Sequence, residues 1–277
     1  LESPQEPLPR LGQIAYINIL PVTLPLARGL VKVAAQVEYG TPSELNGAYA
    51  RGDLDLGAMS TFFFLKQPDL DLIPRLSISG DGPVGSVLFF AKTDPRKTKS
   101  FRIGATTASA TSVTLLQILF KEEYGYFPEL IPSMRPDLHD EQLDGALVIG
   151  DYALAVDLIW TRRYERRDLG AWWKERLDLP MVFGVWAARS SWASQNPKSF
   201  SSISEALVTA LRVGLGSAFS DVIEEAGQRT GLGPARLEHY YRDELNFEFT
   251  QRHEQSLSKY RELCEKYGLL TRQTVGA

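Results

Sequence analysis

The sequence predicts an α/β protein built as two lobes joined by two crossovers, with a ligand cleft between them. Three observations carry this. Short apolar strands alternate with helical segments through most of the 277 residues, the pattern of sheets flanked by helices. One phrase occurs twice, at residues 41–60 (TPSELNGAYARGDLDLGAMS) and 135–151 (RPDLHDEQLDGALVIGD): a short helix, an acidic turn, then an apolar strand introduced by Asp55 or Asp144. The residues that close these strands, Ser60 with Thr61 and Gly150 with Asp151, stand at strand ends, where α/β proteins hold their ligands. Finally, the sequence from Ser202 onward is almost wholly helical, and a helical tail needs a surface to pack on. The economical route brings the chain back near Ala187 so that the tail covers the first lobe. Residues 1–92 and 187–277 then form a discontinuous lobe one, with residues 93–186 inserted as lobe two.

Residues 11–16 read as the first strand; Asn18 and Pro21 end it, and a helix follows to about residue 28. Residues 32–39 are a second strand. Thr41-Pro42-Ser43-Glu44 then starts a helix: Thr41 can cap it, Pro42 suits the first helical position and Glu44 reaches back to the free amides. Leu45, Ala48 and Tyr49 share its buried face, Gly52-Asp53 ends it, and residues 54–59 form the third strand. Residues 76–79 and 84–92 read as two strands joined by Gly80-Asp81-Gly82-Pro83, residues that permit a sharp reversal. Apolar content falls across TDPRKTKS (residues 93–100), which reads as the crossover into lobe two. A new series then begins with a strand at 101–105, a helix at 110–124 and a strand at 130–134. Residues 151–163 and 168–177 are helical, with the basic run RRYERR (residues 162–167) as a solvated helix end. MVFGVWAA (residues 181–188) is a buried strand, and helices follow over 202–226, 234–241 and 251–267.

A hydrophobic share of 44% with 23% charged residues describes an ordinary globular protein and excludes disordered and fibrous classes. The net charge of −4 opposes binding to nucleic acid, which needs a clustered basic face. Cys264 is the one cysteine, so no intramolecular disulfide can form, and it reads as a packing residue. No stretch reaches the roughly 18 apolar residues of a membrane span, and LESPQEPLPR lacks the basic-then-apolar layout of a secretion signal. The expected partner is a small molecule, with no nucleic acid and no membrane, in the cytoplasm.

Candidate site residues gather at strand ends. Asn18 follows the first strand between apolar neighbours, where its amide can donate and accept hydrogen bonds or cap a turn. GATTASATS (residues 104–112) leads from a strand into a helix, collecting the hydroxyls of Thr106, Thr107 and Ser109 and the backbone of Ala108 at a helix N-terminus that favours a carboxylate or phosphate. No glycine-rich nucleotide fingerprint accompanies it, so a small organic acid fits better than a nucleotide. Ser86 lies beside Gly85 in GPVGSV, where glycine lets the backbone approach a ligand. Asp151 is either an N-cap or an acid. His139, His239 and His253 fall in polar helical surroundings and read as solvated. Neither a metal-ligand spacing nor a nucleophile elbow is present, so no metal or cofactor is expected.

Several phrases together resemble a known family. YIN-x-x-P (16–21), TPSELN (41–46), LSIS-x-x-GPV-x-SV (76–87), IGD-x-AL (149–154) and LP-x-VFGVWAAR (179–189) are similar to those of the chorismate dehydratases of the futalosine route to menaquinone. The resemblance implies a fold like type 2 periplasmic binding proteins, no cofactor, and loss of water from chorismate to give 3-(1-carboxyvinyloxy)benzoate. It implies that Ser86 and residues 106–109 hold the substrate carboxylates while Asn18 faces the reacting ring or its departing hydroxyl. The base would be a substrate carboxylate or Asp151. A sister enzyme of the route, which forms a dihydroxynaphthoate, carries a histidine near the segment that here reads Val148-Ile149-Gly150-Asp151; its absence favours the dehydratase. A non-catalytic binding protein for small carboxylates would share the same fold and the same helix terminus.

Overall fold

The structure is a computed structural model and describes residues 7–270; the first six residues of the N-terminal segment discussed above lie outside them. The chain opens with β1 (Arg10–Ile14), a 3-10 turn at Ile17–Ile19 and α1 (Leu20–Ala27). There follow β2 (Gln36–Gly40), α2 (Pro42–Arg51), β3 (Leu56–Ser60), α3 (Thr61–Lys66) and β4 (Leu70–Gly80). Next come β5 (Val87–Ala91), β6 (Arg102–Thr106), α4 (Ala110–Tyr124), β7 (Glu129–Ser133), β8 (Gly145–Ile149), α5 (Gly150–Trp160), β9 (Glu165–Asp168) and α6 (Leu169–Leu177). The last part holds β10 (Met181–Arg189), α7 (Ser190–Gln195), α8 (Pro197–Leu215), α9 (Phe219–Thr230), α10 (Pro234–His239) and α11 (Gln251–Lys266).

The strands form two sheets, ordered β2-β1-β3-β10-β4 and β7-β6-β8-β5-β9. They share one plan. In the first, β1 runs parallel to β2 and β3, and β10 crosses antiparallel between β3 and β4. In the second, β6 runs parallel to β7 and β8, and β5 crosses antiparallel between β8 and β9. The doubled phrase occupies matching places. Asp55 accepts the Arg10 N–H at 2.7 Å at the start of β1, and Asp144 accepts the Arg102 N–H at 2.8 Å at the start of β6. Each aspartate also returns its own N–H to the carbonyl of the residue that it caps.

The central strands are buried throughout, as their unbroken apolar sequences require: β3 and β5 carry no exposed position. β5 belongs to the second sheet, so the chain first crosses between lobes at residues 81–86. The expected boundary at 92/93 is too late, and Gly80-Asp81-Gly82-Pro83 joins two sheets rather than a hairpin. The return crossing lies at residues 178–180, because all of β10 is laddered between β3 and β4; the expected boundary at 186/187 cuts that strand.

β4 is much longer than the expected 76–79. Pro74 and Arg75 interrupt its pattern; Arg75 has a φ of 67° and the register with β10 shifts there, an irregularity that an edge strand tolerates. RRYERR is not a helix end. It leads into edge strand β9, whose Arg166 pairs with Asp157 at 2.6 Å and whose Arg167 pairs with Glu123 at 2.6 Å and lies over the Trp172 ring. Charged side chains of this kind keep a sheet edge from pairing further.

The helical tail divides its packing. α8 and α9 lie on α1 of lobe one, whereas α11 turns its Tyr260, Leu263 and Cys264 face toward lobe two. The Tyr260 hydroxyl donates to Thr111 O at 3.1 Å, and Trp173 Nε1 donates to Ser256 Oγ at 3.0 Å. The tail therefore covers both lobes rather than the first alone. Cys264 is buried, and desolvation pushes its thiol up to about 12, so it packs and does not react. His253, expected to be solvated, is buried beside Phe249; its Nδ1 accepts the Thr250 N–H at 3.2 Å and closes the cap of α11, and burial lowers its pKa. His139 and His239 are exposed beside Asp137 and Asp243. Among the described residues no single helix is long and apolar enough to cross a membrane, and α8 with α9 would do so only across an 83° bend.

Candidate functional site

A cavity of about 50 Å³ lies between the two sheets at the ends of β1, β3 and β8. Its polar lining is Tyr16, Asn18, Ser60, Ser86, Ser109 and Ser112, with Gly150 contributing backbone. Ile14, Ile78, Phe183 and Ile149 supply an apolar wall, and among the described residues no lining side chain carries a charge.

Each polar group is fixed by the element that ends or begins beside it. Ser60 closes β3 and caps α3, accepting the Phe63 N–H at 3.3 Å and the Asn46 amide at 3.3 Å. Ser109 caps α4, accepting the Ser112 N–H at 3.2 Å and sharing a hydrogen bond with Ser112 Oγ at 3.1 Å. The hydroxyl-bearing residues Ser109 and Ser112 thus line the cavity at the N-terminal end of this 15-residue helix, the positive end of its dipole. Gly150 begins α5 with a φ of 60°, a conformation that suits glycine, and its N–H donates to Ser86 O at 2.7 Å. That bond holds the first crossover against the second lobe's strand end. Tyr16 lies over Gly150, and burial, with the charge of Asp151 adding to it, raises its phenol to about 12.

Asn18 sits in the turn Ile17–Ile19. The turn is held from two sides: Ile17 N–H donates to Asp151 Oδ1 at 3.1 Å, and Ile17 O accepts the Tyr241 hydroxyl at 2.7 Å. Asn18 lines the cavity, and its Oδ1 is buried without a hydrogen-bond partner. Ser86 Oγ accepts the Tyr240 hydroxyl at 2.9 Å. Gly85, with a φ of 68°, donates its N–H to Asp168 at 2.7 Å and faces the Glu244 carboxylate rather than the cavity.

The structure thus brings Asn18, Ser60, Ser86, Ser109 and Gly150 to one cavity. Other candidates lie around it in supporting places. Thr61 Oγ1 donates to Val182 O at 2.8 Å; Thr106 Oγ1 accepts the Ala108 N–H at 3.1 Å, and Ala108 is buried. Thr107 is half-buried outside the cavity lining, and its carbonyl accepts Ser43 Oγ at 2.9 Å across the cleft. Asp151 ties the lobes together behind the cavity, and burial raises its pKa above the ordinary carboxylate range. Sequence reasoning did not single out Tyr16, and it reached Ser112 only as one hydroxyl of the segment 104–112. Ser112 was legible as the i+3 neighbour of Ser109 on one helix face. Tyr16 and Phe183 lie in apolar surroundings where no alternation marks a side chain facing a ligand. Among the described residues no group of three His, Cys, Asp or Glu side chains could hold a metal ion.

A sequence model of the family described as menaquinone biosynthesis matches residues 9–266. The chain belongs to that menaquinone biosynthesis family. Within it the chain is 35% identical over 248 residues to the chorismate dehydratase of Thermus thermophilus, covering 83% of this chain and 86% of that protein. The fold recurs more widely. A solved structure from Archaeoglobus fulgidus superposes with a TM-score of 0.71 at 18% identity, covering 94% of this chain and 98% of that one. The periplasmic aliphatic sulphonate binding protein SsuA of Escherichia coli superposes with a TM-score of 0.65 at 15% identity, covering 98% and 96%. At these identities the likeness is one of fold, and it agrees with the two-lobed periplasmic-binding-protein architecture expected from the sequence.

Proposed function

We propose that this protein is a chorismate dehydratase acting in menaquinone biosynthesis, a hydro-lyase that forms 3-(1-carboxyvinyloxy)benzoate and water. The menaquinone family match and the relative from Thermus thermophilus support the substrate. The observation that carries the chemistry is the unpartnered, buried Asn18 Oδ1 in a cavity whose other polar groups are hydroxyls and helix-terminal amides.

Dehydration removes the C3 proton and the C4 hydroxyl, and the ring becomes aromatic, so the thermodynamic drive is built into the substrate. The protein has to hold the ring and stabilise charge as it moves. Removing the C3 proton places negative charge on the ring carboxylate as an enolate. Fixed donors around that carboxylate lower the barrier, because they need no reorganisation as the charge develops. Ser86, Ser109, Ser112 and the first turn of α4 supply such donors, and Asn18 Oδ1 accepts from the C4 hydroxyl and orients it for departure. Among the described residues no histidine lines the cavity, and Asp151 directs an oxygen to the Ile17 amide. In this reading the base is the substrate's own side-chain carboxylate, which passes the C3 proton to the leaving hydroxyl to complete water, with Asp151 as the protein-borne alternative. The absence of charged lining groups leaves the carboxylates to hydroxyls and helix dipoles. A biosynthetic role on a freely diffusing acid agrees with a cytoplasmic location.

The test is incubation of purified protein with chorismate, followed by mass spectrometry. The proposal expects the dehydrated benzoate to accumulate with turnover. Chorismate recovered intact from a tight complex would favour a binding protein instead, as the shared fold with SsuA allows.

A further inference from the structure

Two neighbouring tyrosines stand directly behind the proposed site. After α10 the chain makes one π-helical turn at Tyr240–Glu244, closed by the Leu245 N–H to Tyr240 O bond at 3.0 Å. Such turns are rare and recur at functional sites. Both tyrosines are buried, with ring centroids 5.3 Å apart, and their hydroxyls reach different walls of the cavity. Tyr240 donates to Ser86 Oγ at 2.9 Å; Tyr241 donates to Ile17 O at 2.7 Å, on the turn that carries Asn18. Burial holds both phenols above the ordinary tyrosine range, so each remains a proton donor throughout the working pH range.

We infer that Tyr240 and Tyr241 are positioning residues for the dehydration: Tyr240 orients and polarises the Ser86 hydroxyl, and Tyr241 fixes the turn that presents Asn18. The inference rests on the function proposed above. Ser86 Oγ has one proton to give. With Tyr240 donating to that oxygen, the Ser86 proton is left for Val84 O, a long 3.4 Å contact, or for the cavity that Ser86 lines. A substrate carboxylate is the stronger acceptor. Accepting from Tyr240 also makes Ser86 a better donor, because linked hydrogen bonds polarise one another. The loop and the π turn are fitted to each other. The Val84 and Gly85 N–H groups both donate to the buried Asp168, and Glu244, the last residue of the turn, occupies the space where a Gly85 side chain would be.

Tyr240→Phe keeps the ring and its packing and removes only the donor. Chorismate turnover is measured for the wild type, Tyr240→Phe, Ser86→Ala and the double variant, with thermal unfolding of each to establish folding. Tyr240→Phe is expected to lower kcat/KM about tenfold in the wild-type background and less than about twofold when Ser86 is already Ala, since the hydroxyl through which it acts is gone. Affinity for the product, measured by calorimetry in the same four proteins, follows the same pattern and provides the readout where turnover is too slow. Tyr241→Phe behaves in the same way against Asn18→Ala. Equal losses in both backgrounds would mark a structural role and overturn the inference, as would an undiminished Tyr240→Phe enzyme. A wild-type protein that leaves chorismate unchanged would instead overturn the proposed function and, with it, the inference.

Discussion

Asp151 places a carboxylate oxygen 3.1 Å from the Ile17 amide, joining the start of α5 in one lobe to the Asn18 turn in the other. Burial is the largest influence on it and raises its pKa; the Ile17 hydrogen bond opposes that in part. A folded pKa above the unfolded one means that the folded protein binds this proton more readily than the unfolded chain. Stability from this group therefore falls as pH rises from the unfolded value, about 3.9, through the raised folded value, and the penalty is fully present above it. Asp151→Asn keeps an acceptor for Ile17 and removes the penalty. Denaturant unfolding at a series of pH values should show the variant gaining on the wild type as pH rises through that window; parallel curves would contradict the shift. Thr107 teaches a related lesson: its hydroxyl sat in the most polar stretch of the sequence, yet its backbone, not its side chain, bridges the cleft.

At the scale of elements, the doubled phrase has a physical meaning. Asp55 and Asp144 each accept the first amide of the neighbouring parallel strand, fixing where β1 and β6 begin against β3 and β8. Asp55→Ala and Asp144→Ala should each destabilise by about 1.5–3 kcal/mol, the range for losing a hydrogen bond to a charged group. Chemical unfolding of the two variants tests the equivalence, and a loss at only one site would break it. The cap of α2 was legible in sequence because its chemistry is local: Thr41 Oγ1 accepts the Glu44 N–H and Glu44 returns to Thr41 N–H. β9 and the early half of β4 were not. An edge strand of arginines has no apolar alternation, and Pro74 hides the continuity of a strand that tertiary pairing with β10 maintains.

For the whole molecule, alternating strands and helices made two lobes predictable, but the crossing points depended on which sheet claimed β5 and β10. That choice is made by long-range ladders and cannot be read from local pattern. The same holds for the site. Asn18, Ser60, Ser86, Ser109 and Gly150 were visible as polar or glycine residues at strand ends, whereas Tyr240 is 154 residues from the serine that it holds. Nor did the tail's composition reveal that α11 binds lobe two, through Tyr260 and through Lys266, whose ammonium meets Glu122 at 2.8 Å. The lobes are consequently joined by two crossovers and by a helix lying across both, around a cavity whose described lining residues are uncharged.

The claim that this cavity carries out the dehydration is tested most directly by chorismate turnover in three variants measured side by side. Asn18→Ala and Ser86→Ala should each lose about ten- to hundredfold in kcat/KM, the worth of one hydrogen bond to a charged or reacting group, while Thr107→Ala, outside the cavity, stays close to the wild type. Wild-type turnover by the Asn18 and Ser86 variants would contradict it.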